Sequence, residues 1–141
     1  MAALASPALA CPDYNLNGQV VSLTSDQLYS AVSFERPAGG EVDLGRCAMP
    51  GQGFVTRAPD FTIRYDRSGK TRDLEFRVES ACDSILLVNL PDGSWRFDDD
   101  SNGNLDAKIR IGKAPDGTYD VWLGRIGSKD PCRASLTIET F

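Results

Sequence analysis

The residues best suited to chemistry are acidic and lie in one short stretch, 98–106. The stretch runs Asp98-Asp99-Asp100-Ser101-Asn102-Gly103-Asn104-Leu105-Asp106, so it holds four carboxylates and two side-chain amides. Carboxylates this close repel one another, and a hard divalent cation removes that penalty. Calcium takes about six to eight oxygen ligands of these types. The stretch therefore predicts a Ca²⁺ site, with the candidate ligands Asp98, Asp99, Asp100, Asn102, Asn104 and Asp106.

The spacing within this stretch does not match an EF-hand. Counting from Asp98, Gly103 falls at the sixth position as in an EF-hand, but Ile109 occupies the twelfth, where an EF-hand needs a glutamate. Asp83 and Asp92 are second-tier candidates to complete the metal shell. The alternative is a solvated acidic hairpin loop, because Asp, Asn, Ser and Gly are also the residues that turns favour.

Composition excludes several other functions. The chain of 141 residues contains no histidine, which removes Ser-His-Asp and Cys-His nucleophiles and His-ligated zinc. A formal net charge of −5 argues against a nucleic-acid partner. No apolar run approaches the roughly 20 residues of a membrane span. The acids are crowded into one loop, which suits a metal better than an acid–base pair across a cleft. We therefore predict that the protein is not an enzyme.

Aromatic side chains offer a second kind of site. Trp95 and Trp122 are candidate ligand contacts, because exposed rings can stack on a polysaccharide or pack against a protein. The alternative for both is packing in the core, which takes most aromatic residues of strands.

The cysteines indicate an oxidising compartment. Cys11, Cys47, Cys82 and Cys132 are even in number and show no CxxC spacing, which favours disulfides over a zinc site. Of the three possible pairings we favour Cys11–Cys47 with Cys82–Cys132, because each bridge would then join neighbouring segments. Free buried thiols are the alternative.

The first ten residues carry a targeting signal or a tail. Residues 1–10 are small, apolar and uncharged and end in Ala8-Leu9-Ala10, the pattern of a signal-peptidase site. They are predicted to be a signal-peptide remnant, or else a disordered tail. Together with the cysteines they predict a secreted or periplasmic protein.

Short alternating runs between turn residues predict the elements that must hold these sites. Residues 60–66 and 74–79 alternate with period two and are predicted to form a hairpin. The apolar run 84–89 is predicted to be a central strand buried on both faces. The whole of 11–141 is predicted to be one all-β domain, an antiparallel β-sandwich or jelly roll of about eight strands.

Four short motifs follow one another along the second half of the chain. They are Cys82-Asp83-Ser84-Ile85-Leu86-Leu87-Val88, Pro91-Asp92-Gly93, Phe97-Asp98-Asp99-Asp100-Ser101 and Gly117-Thr118-Tyr119-Asp120-Val121-Trp122-Leu123-Gly124. Their order and spacing resemble those of bacterial pre-peptidase C-terminal (PPC-like) domains, over about residues 83–140. The resemblance implies a small jelly-roll β-sandwich of an exported protein. It also implies that the acidic loop 98–106 is placed as in the calcium-binding members of that family.

The function predicted from the sequence is that of a secreted calcium-binding β-sandwich module, non-catalytic, which binds an extracellular polysaccharide or protein. The alternative is a metal-free structural or interaction protein, or an inhibitor, of the cell envelope.

Overall fold

Two β-sheets pack face to face in the computed structural model, which describes residues 11–141. The strands are β1 (Gln19–Thr24), β2 (Val32–Glu35), β3 (Val42–Asp43), β4 (Phe54–Val55), β5 (Phe61–Asp66), β6 (Leu74–Ser80), β7 (Ser84–Asn89), β8 (Trp95–Asp98), β9 (Lys108–Ile111), β10 (Gly117–Arg125) and β11 (Ala134–Thr140). Two 3₁₀ helices, Gln27–Tyr29 and Leu44–Arg46, are the only helical elements in the described part of the chain. The predicted all-β sandwich is confirmed, with eleven strands in residues 11–141 where about eight were expected.

The first sheet is organised around β10. Its hydrogen-bonded order is β1-β5-β10-β4-β3, and β7 also pairs with β10 and carries β8 on its far side. The pairings are antiparallel except that of β1 with β5, which is parallel. Because β10 is nine residues long, it can contact β5 with its first half and β4 with its end.

The second sheet has the order β2-β11-β6-β9 and is antiparallel throughout. The last strand of the chain, β11, lies between β2 and β6. The place of β11 in the middle of the sheet depends on pairings between residues far apart in the sequence, such as Leu136 with Phe34.

The core between the sheets follows the period-two pattern of the sequence. Phe61, Ile63 and Tyr65 of β5 face it from one side, and Leu74 and Phe76 of β6 face it from the other. All five side chains are buried. Each fully buried apolar side chain of this size contributes about 1.5–3 kcal/mol relative to an exposed one.

The first sheet also has an apolar outer face. Ile85 and Leu87 of β7 point away from the main core and pack with Trp122, Leu44 and Val55 in a second cluster. This cluster lies beneath the segment that contains β3, β4 and the second 3₁₀ helix. Every residue of β7 is therefore buried, which confirms the predicted central strand.

The predicted hairpin of residues 60–66 and 74–79 is wrong. The two strands form as expected, but β5 pairs with β1 and β10, whereas β6 pairs with β11 and β9. The connection 67–73 carries the chain across from one sheet to the other. Both strands direct alternate apolar side chains into the same core, so their sequence pattern is the same as that of paired neighbours.

Two disulfides join segments that lie outside the strands. Cys11 is bonded to Cys47, and Cys82 is bonded to Cys132, which is the pairing favoured from the sequence. The first ties the segment before β1 to the outer cluster, and the second joins the β6–β7 and β10–β11 connections. Disulfides persist in oxidising compartments, in agreement with a secreted or periplasmic protein.

Residues 11–141 include no helix long and apolar enough to cross a membrane. The predicted signal-peptide remnant or tail, 1–10, lies outside the described residues.

Candidate functional site

The acidic stretch 98–106 forms the connection between β8 and β9, and its first residue fixes the backbone of the loop. The carboxylate of Asp98 accepts hydrogen bonds from the backbone N–H groups of Ser101 (3.0 Å) and Lys108 (2.9 Å) and from the hydroxyl of Ser101 (2.7 Å). Burial opposes ionisation of Asp98, but these bonds outweigh it and hold the pKa of the carboxyl below its usual range. Asp98 thus joins the two ends of the loop.

The last residue of the stretch anchors the loop to the sheets. Asp106 is buried, and its carboxylate accepts bonds from the hydroxyls of Ser80 (2.6 Å) and Ser84 (2.9 Å) and from the backbone N–H of Ser80 (3.3 Å). Asn102 donates from its side-chain amide to the carbonyl of Val78 at 2.8 Å. The lone pairs of Asp106 are therefore used inside the fold, as a bridge between β6 and β7.

Between these anchors the chain makes a tight turn in the left-handed region. Gly103, Asn104 and Leu105 have φ values of 79°, 49° and 63°. The turn is closed by a bond of 2.9 Å from the N–H of Asp106 to the carbonyl of Gly103. Asparagine and glycine tolerate this region, whereas leucine rarely adopts it. Leu105 nevertheless adopts this conformation, with 60% of its surface exposed.

Asp99 and Asp100 remain as the free charges of the loop. Ligand atoms of Asp98, Asp99 and Asp100 lie within 4.8 Å of one another. The pKa of Asp99 is raised, first by burial and then by the charges of Asp100, Asp98 and Asp83. In residues 11–141 neither Asp99 nor Asp100 forms an ion pair with a lysine or arginine. The cluster is a concentration of negative charge that a cation would relieve.

The two second-tier candidates for the metal shell, Asp83 and Asp92, lie in different parts of the structure. Asp83 lies near the loop, as its effect on Asp99 shows. Asp92 lies in the turn between β7 and β8, at the other end of β8 from the acidic loop. Its carboxylate accepts bonds from the hydroxyl (2.6 Å) and backbone N–H (2.9 Å) of Ser94, which lower its pKa. Asp92 therefore stabilises its own turn and does not join the cluster.

The rings of Trp95 and Trp122 pack against each other with their planes tilted by 43°, and they do not form an exposed platform. Their ring centroids are 5.3 Å apart, and Trp122 is fully buried in the outer cluster, where its indole N–H donates to the carbonyl of Arg57 at 3.4 Å. Trp95 is partly exposed, and the ring of Tyr14 meets it edge-on at 6.2 Å. The structure thus places Trp122 in core packing, and only Trp95 of the pair reaches the surface.

Three residues that the sequence analysis passed over have unusual environments. Leu105 is an exposed leucine with positive φ, and Asp60 and Asp120 are carboxylates with 2% and 4% of their surface exposed. A sequence signal existed for Asp120, because it is the single charge within the otherwise apolar interior of β10. Nothing in the sequence marked Leu105, since its exposure depends on how the turn is anchored.

Comparison with known proteins gives a distant likeness of fold. Neither a family model nor a curated protein matches the chain. Among solved structures, the fold is similar to that of PliG from Aeromonas hydrophila, a periplasmic lysozyme inhibitor of g-type lysozyme. The TM-score is 0.45 at 8% sequence identity, over 88% of this chain and 99% of that chain. A likeness at this level assigns no function, and the resemblance to PPC-like domains stays a prediction.

Proposed function

We propose that this protein is a non-catalytic binding protein of the periplasm or the cell exterior. Its 98–106 loop recognises another protein, in the manner of an inhibitor. The observation that carries the proposal is Leu105, an exposed leucine in the left-handed region of an anchored loop, whose carbonyl accepts from the N–H of Ser84 at 3.1 Å. Backbone strain of this kind persists where the surroundings over-determine it, and it is concentrated at functional sites.

The anchoring of the loop favours protein recognition. Hydrogen bonds fix the backbone of the loop before any partner binds, and they are made by the side chains of Asp98, Asn102 and Asp106. A loop ordered in advance loses little entropy on binding. The same loop presents one exposed apolar side chain, Leu105, and the unpaired charges of Asp99 and Asp100.

The charge of the molecule indicates the kind of partner. The formal net charge is −5, and Asp99 and Asp100 have no internal counter-charge among the described residues. Opposite charge speeds the encounter of two proteins and selects against wrong partners. A basic protein partner is therefore favoured.

The test removes the side chain of Leu105 and keeps its backbone conformation. Asparagine tolerates the left-handed region, so Leu105→Asn should leave the melting temperature within a few degrees of the wild type. We expect this variant to lose at least tenfold in affinity for the partner, because an apolar anchor at an interface centre contributes about 2 kcal/mol or more. Leu16→Asn, at another exposed leucine, is the matched control and should bind normally.

The partner is found by placing a photo-crosslinking residue at position 105 in cells that make the protein, with position 16 as the control. One protein adduct specific to position 105 is expected. A g-type lysozyme, assayed for residual activity in the presence of the protein, is the first purified probe. Crosslinks that are the same at both positions, or absent at position 105, would count against the proposal.

A second candidate is calcium binding by the same loop. It is favoured by the approach of Asp98, Asp99 and Asp100, whose ligand atoms lie within 4.8 Å of one another, with the charge of Asp83 nearby. Carboxylates are the ligands that Ca²⁺ prefers. Asp106 would not join them, because its oxygens accept bonds from Ser80 and Ser84.

We expect millimolar calcium to raise the melting temperature relative to EGTA, because a ligand that binds only the folded state stabilises it. In the double variant Asp99→Asn with Asp100→Asn the calcium effect should vanish. Asp98 is kept, because it also closes the loop. Melting curves of the wild type that coincide with and without chelator would rule out the calcium site.

A further inference from the structure

A groove of about 540 Å³ opens on the outer face of the first sheet, away from the acidic loop. It lies where β10 passes between β5 and β7, next to the turn that joins β7 to β8. Its walls include Tyr14, Pro91 and Thr118, and its floor includes Asn89 and Asp120. None of the residues that line it is a lysine or an arginine.

Asp120 brings a buried carboxylate to the floor of this groove. Only 4% of its surface is exposed, because its neighbours in the sheet, Thr62 and Asn89, flank it on both sides. One carboxylate oxygen accepts a bond of 2.8 Å from the hydroxyl of Thr62. That hydroxyl in turn accepts from the N–H of Gly18 at 3.0 Å, so its orientation is fixed.

The second oxygen of Asp120 has no hydrogen-bond donor among residues 11–141, where the bond from Thr62 is the one that the carboxylate receives. No arginine or lysine of those residues pairs with it either, and burial raises its pKa. This second oxygen is not a buried atom, so it is accessible from the groove, and a positive charge placed there would compensate for the partial desolvation of the carboxylate.

The neighbouring groups are also acceptors. The side-chain amide nitrogen of Asn89 donates to the carbonyls of Gly93 (3.1 Å) and Ser94 (3.4 Å), so the amide oxygen is the group left to face a ligand. Tyr14, with 51% of its surface exposed, supplies an aromatic ring at the wall. Aromatic rings attract cations through their negative faces. The groove therefore combines acceptors and a ring and contributes no positive side chain.

We infer that this groove is a second binding site, separate from the 98–106 loop, that receives a guanidinium or ammonium group from an arginine or lysine side chain of a partner protein. The cation would donate hydrogen bonds to the free oxygen of Asp120 and to the amide oxygen of Asn89. It would also lie against the face of the Tyr14 ring. The net charge of −5 favours partners that carry such side chains. The inference does not depend on the 98–106 loop, because the groove can be tested with isolated side-chain analogues.

The test uses the whole protein and three probes: N-acetyl-arginine amide, N-acetyl-lysine amide and N-acetyl-citrulline amide. Citrulline has nearly the shape of arginine but no charge. By NMR we expect the two cations, at up to tens of millimolar, to shift the signals of Asn89, Gly117 and Asp120 in a saturable way. The citrulline derivative should produce shifts at least tenfold weaker.

Asp120→Asn is the decisive variant, because its amide oxygen can still accept from Thr62 while the charge is removed. It should abolish the response to both cations. Asp92→Asn removes the same charge from the adjacent turn, outside the groove, and should leave the response unchanged. Equal shifts by citrulline and arginine, a response that survives Asp120→Asn, or no response to any probe would overturn the inference. None of these results bears on Leu105, so failure here is distinct from failure of the proposed function.

Discussion

Two tyrosines that are in contact in the core differ in whether their hydroxyls form a hydrogen bond. Tyr65 and Tyr119 meet edge-on with ring centroids 5.9 Å apart. The hydroxyl of Tyr119 donates to the carbonyl of Pro115 at 2.9 Å, whereas that of Tyr65 is buried with no hydrogen-bond partner in the part of the chain that the structure describes. A buried polar group without a partner costs about 1–3 kcal/mol, and one that is paired contributes about 1 kcal/mol.

The same substitution should therefore have opposite effects at the two positions. We expect Tyr65→Phe to raise the free energy of unfolding by about 1 kcal/mol and Tyr119→Phe to lower it by a similar amount. Urea denaturation of the two variants measures both. If Tyr65→Phe proves as destabilising as Tyr119→Phe, its hydroxyl has a partner in solution and the explanation fails.

Residue types alone could not separate the roles within the acidic stretch. The four carboxylates of 98–106 look equivalent in the sequence, but Asp106 is buried against Ser80 and Ser84 while Asp99 and Asp100 keep their charges unpaired. The difference arises from donors some twenty residues away in the chain. The sequence was therefore enough to locate the loop. The tertiary structure decides which of its carboxylates remain without a partner.

At the scale of elements, periodicity predicted the strands better than it predicted their partners. The alternation in 60–66 and the apolar run 84–89 correspond to β5 and β7, and β7 is buried on both faces as predicted. The predicted pairing of β5 with β6 was wrong, because two strands that face one core from opposite sheets carry the same sequence pattern as two neighbours in one sheet. Strand β1 was missed, since it lies at the edge of the first sheet and only Val21 and Leu23 pack on the core.

At the scale of the whole molecule, Asp60 connects the two sheets and makes stability depend on pH. One of its oxygens accepts from the guanidinium of Arg36, just beyond β2, at 3.1 Å, and the other accepts from the N–H of Leu123 in β10 at 2.7 Å. Burial is the largest effect on this carboxyl and raises its pKa from 3.8 to about 6, although both hydrogen bonds oppose it.

Because the pKa of Asp60 is higher in the folded state, the folded protein binds this proton more tightly than the unfolded chain does. The contribution of Asp60 to stability is therefore fully present below about pH 4 and is lost as the pH rises through 6. Between pH 7 and pH 4 the gain is at most about 3 kcal/mol. The melting temperature, measured over this range, should rise on acidification in the wild type.

Asp60→Asn is the matched variant, and it should flatten the pH dependence between 7 and 4. Asp99 and Asp120 have raised pKa values too and act in the same direction, whereas Asp92 and Asp98 have lowered pKa values and oppose it towards pH 4, so the variant keeps some pH dependence. An unchanged slope in the variant would show that Asp60 is not the group responsible.

The position of β11 has a consequence for biosynthesis. The last seven-residue strand of the chain fills the middle of the second sheet, and residues 32–35 can pair with nothing in that sheet until it arrives. A nascent polypeptide emerging from a ribosome or a translocation pore therefore cannot close this half of the sandwich piece by piece. This sheet cannot form until residues 134–140 have been synthesised, and a variant without this strand would leave β2 and β6 without the neighbour they share.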